Sequence, residues 1–152
     1  MNSDKYSEIF PAVRVIIDTN LWISFLIGKQ LDSMIEMFED PWFELINTPI
    51  LQEEVLTVAR REKFRKWFTI EKVEALQKFI EEEMTMVEIG EIPSSCRDPK
   101  DDYLLELAVQ SKAIYLVSGD DDLLSIGEIE GCRIMTVSQF EKEWQQMRIN
   151  KA

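Results

Sequence analysis

The sequence predicts a three-layer α/β/α domain, in which helices cover both faces of a parallel sheet. At 152 residues the chain has the length of a single domain. Hydrophobic residues make up 45% of it and charged residues 30%, a balance typical of a folded, soluble protein. Short apolar segments alternate along the chain with segments of helical periodicity, which is the pattern of a parallel sheet covered by helices.

Three strands are predicted in the first half of the chain, because three short segments are mostly apolar and rich in β-branched or aromatic residues. They cover residues 13–17, 42–47 and 84–89. Thr48 and Pro49 are a favourable N-cap and first helical residue. Apolar residues at helical spacing predict the intervening helices. These cover residues 31–39, 49–67 and 70–82, and residues 21–27 open a further helix or a loop.

Two further strands are predicted in the second half by the same criteria. They cover residues 113–118 and 133–137. Asp98 and Pro99 repeat the cap-and-proline pattern and begin a helix that runs to about Ser111. Residues 119–124 form a turn into a short helix, and Ser138 is expected to cap the final helix.

The expected location follows from features that the sequence lacks. No basic region followed by an apolar one occurs at the N-terminus, so a secretory signal is not expected. The longest apolar segments fall well short of the roughly 20 residues of a membrane helix. Cys96 and Cys132 are too few for a disulfide scaffold or a zinc cluster. We expect a cytoplasmic protein with a flexible leader, one domain and a C-terminal tail, at residues 1–11, 12–146 and 147–152.

The composition excludes several kinds of catalytic site. The sequence contains no histidine, which excludes Ser-His-Asp and Cys-His nucleophilic sites and zinc bound by histidine. Any chemistry must therefore use carboxylates, hydroxyls, Lys, Tyr or a metal ion held by oxygen ligands. The 29 acidic residues outnumber the 17 basic ones and give a net charge of −12. This argues against binding nucleic acid by charge alone, because phosphates are neutralised by clustered Lys and Arg.

Acidic residues follow each of the first four predicted strands, either directly or early in the next helix. They are Asp18, Glu53, Glu54, Asp98, Asp101, Asp102, Asp120, Asp121 and Asp122. In a parallel sheet these positions share the carboxyl edge, so we expect the acids to lie close together. Clustered carboxylates repel one another and raise one another's pKa. A hard divalent cation relieves that repulsion, and the pattern therefore predicts an Mg²⁺ or Mn²⁺ site.

Each acid also has a simpler interpretation when it is considered alone. Acids at helix starts are ordinary caps or partners of the helix dipole, and this interpretation is open for Asp98, Asp101 and Asp120. The two glutamates that follow the second strand could equally be solvated on a helix surface. Asp18 is harder to explain structurally, because it ends an apolar strand. The metal hypothesis therefore depends on the convergence of four segments.

The most concentrated basic segment covers residues 60–66 and holds five of the seventeen cations. They are Arg60, Arg61, Lys63, Arg65 and Lys66. Such a segment could contact RNA phosphates, with Phe64 and Trp67 stacking on bases. It could equally be a solvated helix end, whose cations complement the helix dipole while the aromatic rings pack inside. The sequence leaves both interpretations open.

Four segments together resemble the PIN-domain ribonucleases, and their order and spacing are most similar to the VapC-like toxins of toxin–antitoxin systems. They are residues 15–20 (VIIDTN), an early glutamate in the helix that Thr48 and Pro49 begin, residues 98–102 (DPKDD) through Ala108, and residues 117–124 (VSGDDDLL). The resemblance covers residues 13–141. It implies a PIN-like domain whose five-stranded parallel sheet has the order 3-2-1-4-5, with the reversal between strands one and four.

The resemblance also implies an active site built on carboxylates. Its catalytic acids would be Asp18, Glu54, Asp101 and Asp120. Its metal ligands would include Asp18, Asp101, Asp120 and the supporting Asp122. Its supporting polar residues would be Asn20 and Ser118. Glu54 matches the family's glutamate better than Glu53 does, because an apolar residue follows it. Asp101 matches better than Asp102, because Ala108 lies seven residues further on.

The activity that this resemblance implies is an endoribonuclease that uses Mg²⁺ or Mn²⁺ to hydrolyse single-stranded RNA, leaving a 5′-phosphate and a 3′-hydroxyl. It further implies an antitoxin protein as partner and a homodimer, and the basic segment could serve either RNA or the antitoxin. A non-catalytic PIN-like binding module is the main alternative. A haloacid-dehalogenase-type phosphatase would need a general acid where Asn20 stands, and an amide cannot donate its proton at neutral pH.

Overall fold

Six strands form one sheet in the protein, in a computed structural model that describes residues 12–27, 36, 39–90 and 99–151. The side chains of residues 26, 99–102 and 150–151 lie outside that description. The strands are β1 (Val13–Ile17), β2 (Phe43–Asn47), β3 (Thr85–Met86), β4 (Tyr115–Val117), β5 (Glu128–Ile129) and β6 (Cys132–Met135). Their order is β3-β2-β1-β4-β6-β5, and every neighbouring pair is parallel except β5 with β6.

The predicted parallel sheet is confirmed, since its five strands in the order 3-2-1-4-5 correspond to β3-β2-β1-β4-β6. The short antiparallel strand β5 is an addition at the edge. Glu130 and Gly131 join β5 to β6 with positive φ angles of 43° and 87°, as in the two-residue turns of β-hairpins. Strand β5 was not predicted, because a two-residue strand has no periodicity to detect.

Six α-helices have described bounds. They are α1 (Thr19–Ile27), α2 (Pro49–Ala59), α3 (Ile70–Glu83), α4 (Pro99–Ser111), α5 (Asp121–Ile126) and α6 (Val137–Lys151). The helix predicted over residues 31–39 falls mostly outside the described residues, and so do the predicted leader and the predicted Asp98 cap. None of the helices described is both long enough and apolar enough to cross a membrane.

Helix α2 ends at Ala59, earlier than the predicted end near residue 67. Arg61 has an extended backbone, with φ −60° and ψ 139°, and a 3₁₀ turn follows over Glu62–Phe64. Beyond this break the rings of Phe64 and Phe68 are in contact, with centroids 5.8 Å apart, and Phe68 is buried. The helical periodicity across residues 49–67 therefore combined two elements, and burial of the aromatic rings favours the break between them.

Two helix starts show how the caps are made. Thr48 and Pro49 begin α2 as predicted, although the Thr48 side chain makes no capping hydrogen bond. The prediction that Ser138 caps the last helix is wrong, because Thr136 does so. The Thr136 amide donates to Gln139 Oε1 at 2.9 Å, and the Gln139 amide donates to Thr136 Oγ1 at 3.2 Å, which is a capping box. Helix α6 then continues to Lys151, through residues that the sequence analysis separated as a tail.

Both faces of the sheet are covered, as the predicted three-layer architecture requires. Val15 pairs with Tyr115 and Ile16 pairs with Leu116, and successive residues of a strand point to opposite faces. All four side chains are buried. On one face, Phe140 of α6 packs against Tyr115, with ring centroids 5.6 Å apart.

The strand order reverses between β1 and β4, and this places Asp18 and Ser118 beside each other. Backbone pairing continues one residue beyond each strand. The Asp18 amide donates to the Val117 carbonyl at 3.0 Å, and the Ser118 amide donates to the Met135 carbonyl at 3.0 Å. In open α/β sheets a ligand crevice lies at such a reversal, outside the carboxyl ends of the strands.

We expect Cys132 to resist alkylation in the native protein. Burial, together with the charge of Glu128, raises the pKa of its thiol to about 12, and the thiolate is the reactive form. Iodoacetamide at about pH 8 should leave Cys132 unmodified in buffer and modify it in urea. Mass spectrometry of the separate peptides distinguishes Cys132 from Cys96. Fast modification of Cys132 in buffer would contradict the packing of β6.

Candidate functional site

A cleft of about 630 Å³ opens at the carboxyl edge of the sheet, beside the reversal of strand order. Residues of α1, α2, the 3₁₀ turn, α4 and the β4–α5 connection line it. Four of the predicted acids lie in this lining: Asp18, Glu54, Asp120 and Asp122. Asn20 lies there as well. The cleft therefore collects acids from three separate segments of the chain.

Asp18 is the buried acid of the cleft, with an exposed fraction of 7%. Its Oδ2 accepts a hydrogen bond of 2.8 Å from Ser118 Oγ, and the backbone amides of Thr19 and Asn20 also donate to the carboxylate. Burial raises the pKa of Asp18, the Ser118 hydrogen bond lowers it, and the negative charge of Asp120 raises it further; the net effect is a raised pKa. Asp18 is thus a carboxylate whose surroundings disfavour its negative charge.

Asp120 is both a helix cap and a member of the acidic cleft. Its Oδ1 accepts a hydrogen bond of 2.9 Å from the amide of Asp122, which caps α5. Its own amide donates to Ser118 Oγ at 3.0 Å. Because Ser118 Oγ also donates to Asp18, this fully buried hydroxyl connects the two acids. The structural and functional interpretations of Asp120 are therefore compatible.

Glu54 extends from α2 and is held by two hydroxyl groups. Its Oε2 accepts hydrogen bonds from Thr19 Oγ1 at 2.9 Å and from the Tyr103 hydroxyl at 2.6 Å. Burial and the hydrogen bond to Glu54 raise the pKa of Tyr103 far above its usual range, so the hydroxyl stays protonated and can donate. Glu53, in contrast, is exposed and does not line the cleft.

The described acids offer oxygen ligands, although they are not gathered into a compact metal site. Among the described residues, no group of three or more Asp, Glu, Cys or His could hold a metal ion. Asp18 and Asp120 interact electrostatically, while Glu54 is engaged by Thr19 and Tyr103. The predicted ligand Asp101 lies in the first turn of α4, and its side chain is outside the described part of the structure.

The basic segment divides between two surfaces. Arg61 and Lys63 line the acidic cleft together with Phe64, and the Lys63 ammonium lies 5.0 Å from the centre of the Phe64 ring. Arg60 and Arg65 line a different pocket, between the end of α2 and helix α3. The fifth cation, Lys66, lies over the ring of Trp67. The break after α2 thus turns two of the five predicted RNA-binding cations towards the acids.

The two hydroxyl donors to Glu54 were missed by the sequence analysis. Thr19 follows Asp18 directly in the segment VIIDTN, but the sequence alone assigns it no role. Tyr103 falls among the apolar residues of a helical pattern, where an aromatic residue usually indicates the core. Its position four residues after Pro99, near the start of a helix that begins at the carboxyl edge of the sheet, was the available signal.

Comparisons with known proteins agree with this fold. Residues 14–122 match the family model described as PIN domain. The chain also resembles, with a TM-score of 0.54, a chain in the crystal structure of VapBC2 from Rickettsia felis bound to a DNA fragment from their promoter. The two are 10% identical, over 82% of this chain and 98% of that chain, so the likeness concerns the fold. No curated protein matches this chain.

We expect Asp120→Asn to raise the free energy of unfolding of the cation-free protein at neutral pH. Asparagine caps a helix about as well as aspartate, and the substitution removes the charge that repels Asp18. Urea unfolding in EDTA, followed by circular dichroism, measures the change.

Asp120→Ala is the matched control, because it removes the same charge and also the cap. Loss of the cap should make it about 1 kcal/mol less stable than Asp120→Asn. If Asp120→Asn is itself less stable than the wild type, repulsion between Asp120 and Asp18 is not the dominant effect, and the prediction is wrong.

Proposed function

The chain belongs to the PIN domain family, and from that membership we propose that it is a divalent-metal-dependent endoribonuclease that cuts single-stranded RNA. The observation that carries the proposal is the convergence of Asp18, Glu54 and Asp120 on one cleft at the reversal of strand order. A site built on these acids needs no histidine, in agreement with a sequence that contains none. The catalytic acids in this proposal are Asp18, Glu54, Asp101 and Asp120.

The chemistry of the donors fits a hard divalent cation such as Mg²⁺ or Mn²⁺. Every acid of the cleft offers carboxylate oxygens, the ligands that these ions prefer. A cation would also relieve the repulsion between Asp18 and Asp120. Asp18, Asp120, Asp101 and Asp122 would hold it, with Glu54 completing the set. When bound, the cation supplies Lewis-acid chemistry that activates water and offsets charge on the phosphodiester.

The residues around the acids orient them for hydrolysis. Ser118 fixes the Asp18 carboxylate through its hydroxyl and receives the Asp120 amide, so the spacing of the two acids depends on one buried side chain. Asn20 lies in the lining, where its amide can hydrogen-bond a substrate or a water molecule. Preorganised polar groups of this kind act at little reorganisation cost during the reaction.

One side of the cleft, here called the basic wall, is formed by Arg61, Lys63 and Phe64 and suits a nucleic acid. Arg61 and Lys63 can contact phosphates, while the Phe64 ring can stack on a base. Neither cation forms an ion pair in the described part of the chain. In a protein of net charge −12, these two residues are the local source of attraction for RNA. We therefore assign RNA contact to Arg61 and Lys63 ahead of Arg60, Arg65 and Lys66.

A toxin–antitoxin role is proposed as the setting of this activity. The VapBC2 structure, which this chain resembles in fold, contains a toxin–antitoxin pair bound to promoter DNA. An antitoxin that reached the cleft would block it directly, since the acids and the basic wall share one opening. The proposed homodimer and the cytoplasmic location belong to the same hypothesis.

Incubation with single-stranded RNA tests the activity. We expect cleavage with Mn²⁺ or Mg²⁺, none with EDTA, and a loss of at least about 100-fold in the rate for Asp18→Asn, because the site would lose a buried cation ligand. Asp121→Asn is the matched control: Asp121 is an exposed acid that begins α5 next to Asp120, and it does not line the cleft. RNA that is bound but never cut, with any divalent cation, would instead indicate a binding module.

Paired charge removals test the basic wall. In the Asp18→Asn background, Arg61→Ala with Lys63→Ala should weaken RNA binding and reduce the slope of log K against log salt by about 0.7 for each lost phosphate contact. Arg60→Ala with Arg65→Ala removes the same net charge from the other pocket and should change binding by less than about twofold. Equal losses in the two pairs would mean that net charge, and not the cleft, determines binding.

A further inference from the structure

Two buried hydroxyl groups hold Glu54, and the mechanism above assigns them no role. The Tyr103 hydroxyl donates at 2.6 Å and Thr19 Oγ1 at 2.9 Å, and both donate to the same oxygen, Oε2. Tyr103 is 3% exposed and Thr19 is 7% exposed. They reach Glu54 from different elements, since Tyr103 belongs to α4 and Thr19 begins α1. Three segments therefore cooperate to fix one carboxylate oxygen.

The hydrogen-bonding capacity of a carboxylate decides what Glu54 can still do. Each carboxylate oxygen carries two acceptor sites, and the two donors occupy both sites of Oε2. Buried hydroxyls that lose their acceptor leave an unsatisfied polar group, which is unfavourable. Glu54 therefore keeps Oε2 for Tyr103 and Thr19, and Oε1 is the oxygen left for a ligand.

We propose that Tyr103 and Thr19 restrict Glu54 to a single donor oxygen, Oε1, and so make the cleft select a small octahedral cation over Ca²⁺. This inference rests on the proposed function, which places a cation among the acids. Ca²⁺ takes about six to eight oxygen ligands and often both oxygens of one carboxylate, whereas Mg²⁺ keeps a near-octahedral shell with several waters. A glutamate that cannot chelate through both oxygens therefore disfavours Ca²⁺ more than Mg²⁺. Tyr103 and Thr19 are positioning residues for this selection.

Cation affinities in the full chain test the proposal without any measurement of activity. Titration calorimetry with Mg²⁺, Mn²⁺ and Ca²⁺ gives the ratio of the Ca²⁺ to the Mg²⁺ dissociation constant. In Tyr103→Phe and in Thr19→Val, one acceptor site of Oε2 becomes available. The ratio should then fall by about threefold or more, in line with the loss of one hydrogen bond.

Two control variants separate this role from a general effect on packing. Thr19→Ser keeps the hydroxyl and should keep the wild-type ratio. Tyr115→Phe removes a comparable group, because Tyr115 is buried and its hydroxyl donates to Glu143 Oε2 at 3.3 Å, outside the cleft. It should leave the ratio unchanged, since it alters no residue near the acids.

The outcomes distinguish the two hypotheses. If Tyr103→Phe and Thr19→Val bind the cations with the wild-type ratio, selection by the hydroxyl pair is wrong while the metal-dependent function stands. If the wild type binds none of the three cations, the proposed function fails, and the selection fails with it. Circular dichroism checks folding, and if one variant does not fold, the other decides.

Discussion

The candidate site depends on one electrostatic constraint, the repulsion between two carboxylates at the point where the strand order reverses. The parallel pairing of β1 with β4 places Asp18 and the Asp120 segment in neighbouring connections. Burial and like charge both oppose ionisation of Asp18, as its raised pKa shows. The Ser118 hydroxyl and two backbone amides offset only part of this. A positive ligand, as proposed for this cleft, would relieve the remaining excess of negative charge.

The cleft holds basic and acidic side chains that do not pair with each other in the described residues. The 3₁₀ turn after α2 places Arg61 and Lys63 in the cleft lining without an ion pair to its acids in the described residues. Had α2 continued as one helix, residues 60–66 would have spread around its circumference at 100° per residue. The break at Arg61 therefore determines which cations share the cleft with the acids.

The sheet and the converging acids were predictable because both follow from local pattern and one topological rule. The apolar segment before Asp18 identifies a buried parallel strand, and parallel strands share one carboxyl edge. The Glu54–Tyr103 hydrogen bond joins residues 49 positions apart. It depends on how α2 and α4 pack against each other, and the periodicity of the sequence carries no information about that packing. Strand β5 and the Thr136 cap were not predicted because they are too local: each depends on only one or two residues, which is too few to form a recognisable pattern.

The ends of the sheet affect how separate molecules can meet. In the described structure, each edge strand, β3 and β5, is only two residues long. Long exposed edges offer rows of free amides and carbonyls that recruit strands from other molecules and lead to aggregation. Edges this short offer almost no such template. Where two copies meet through the described residues, helical surfaces and side chains offer more contact than these two edges do.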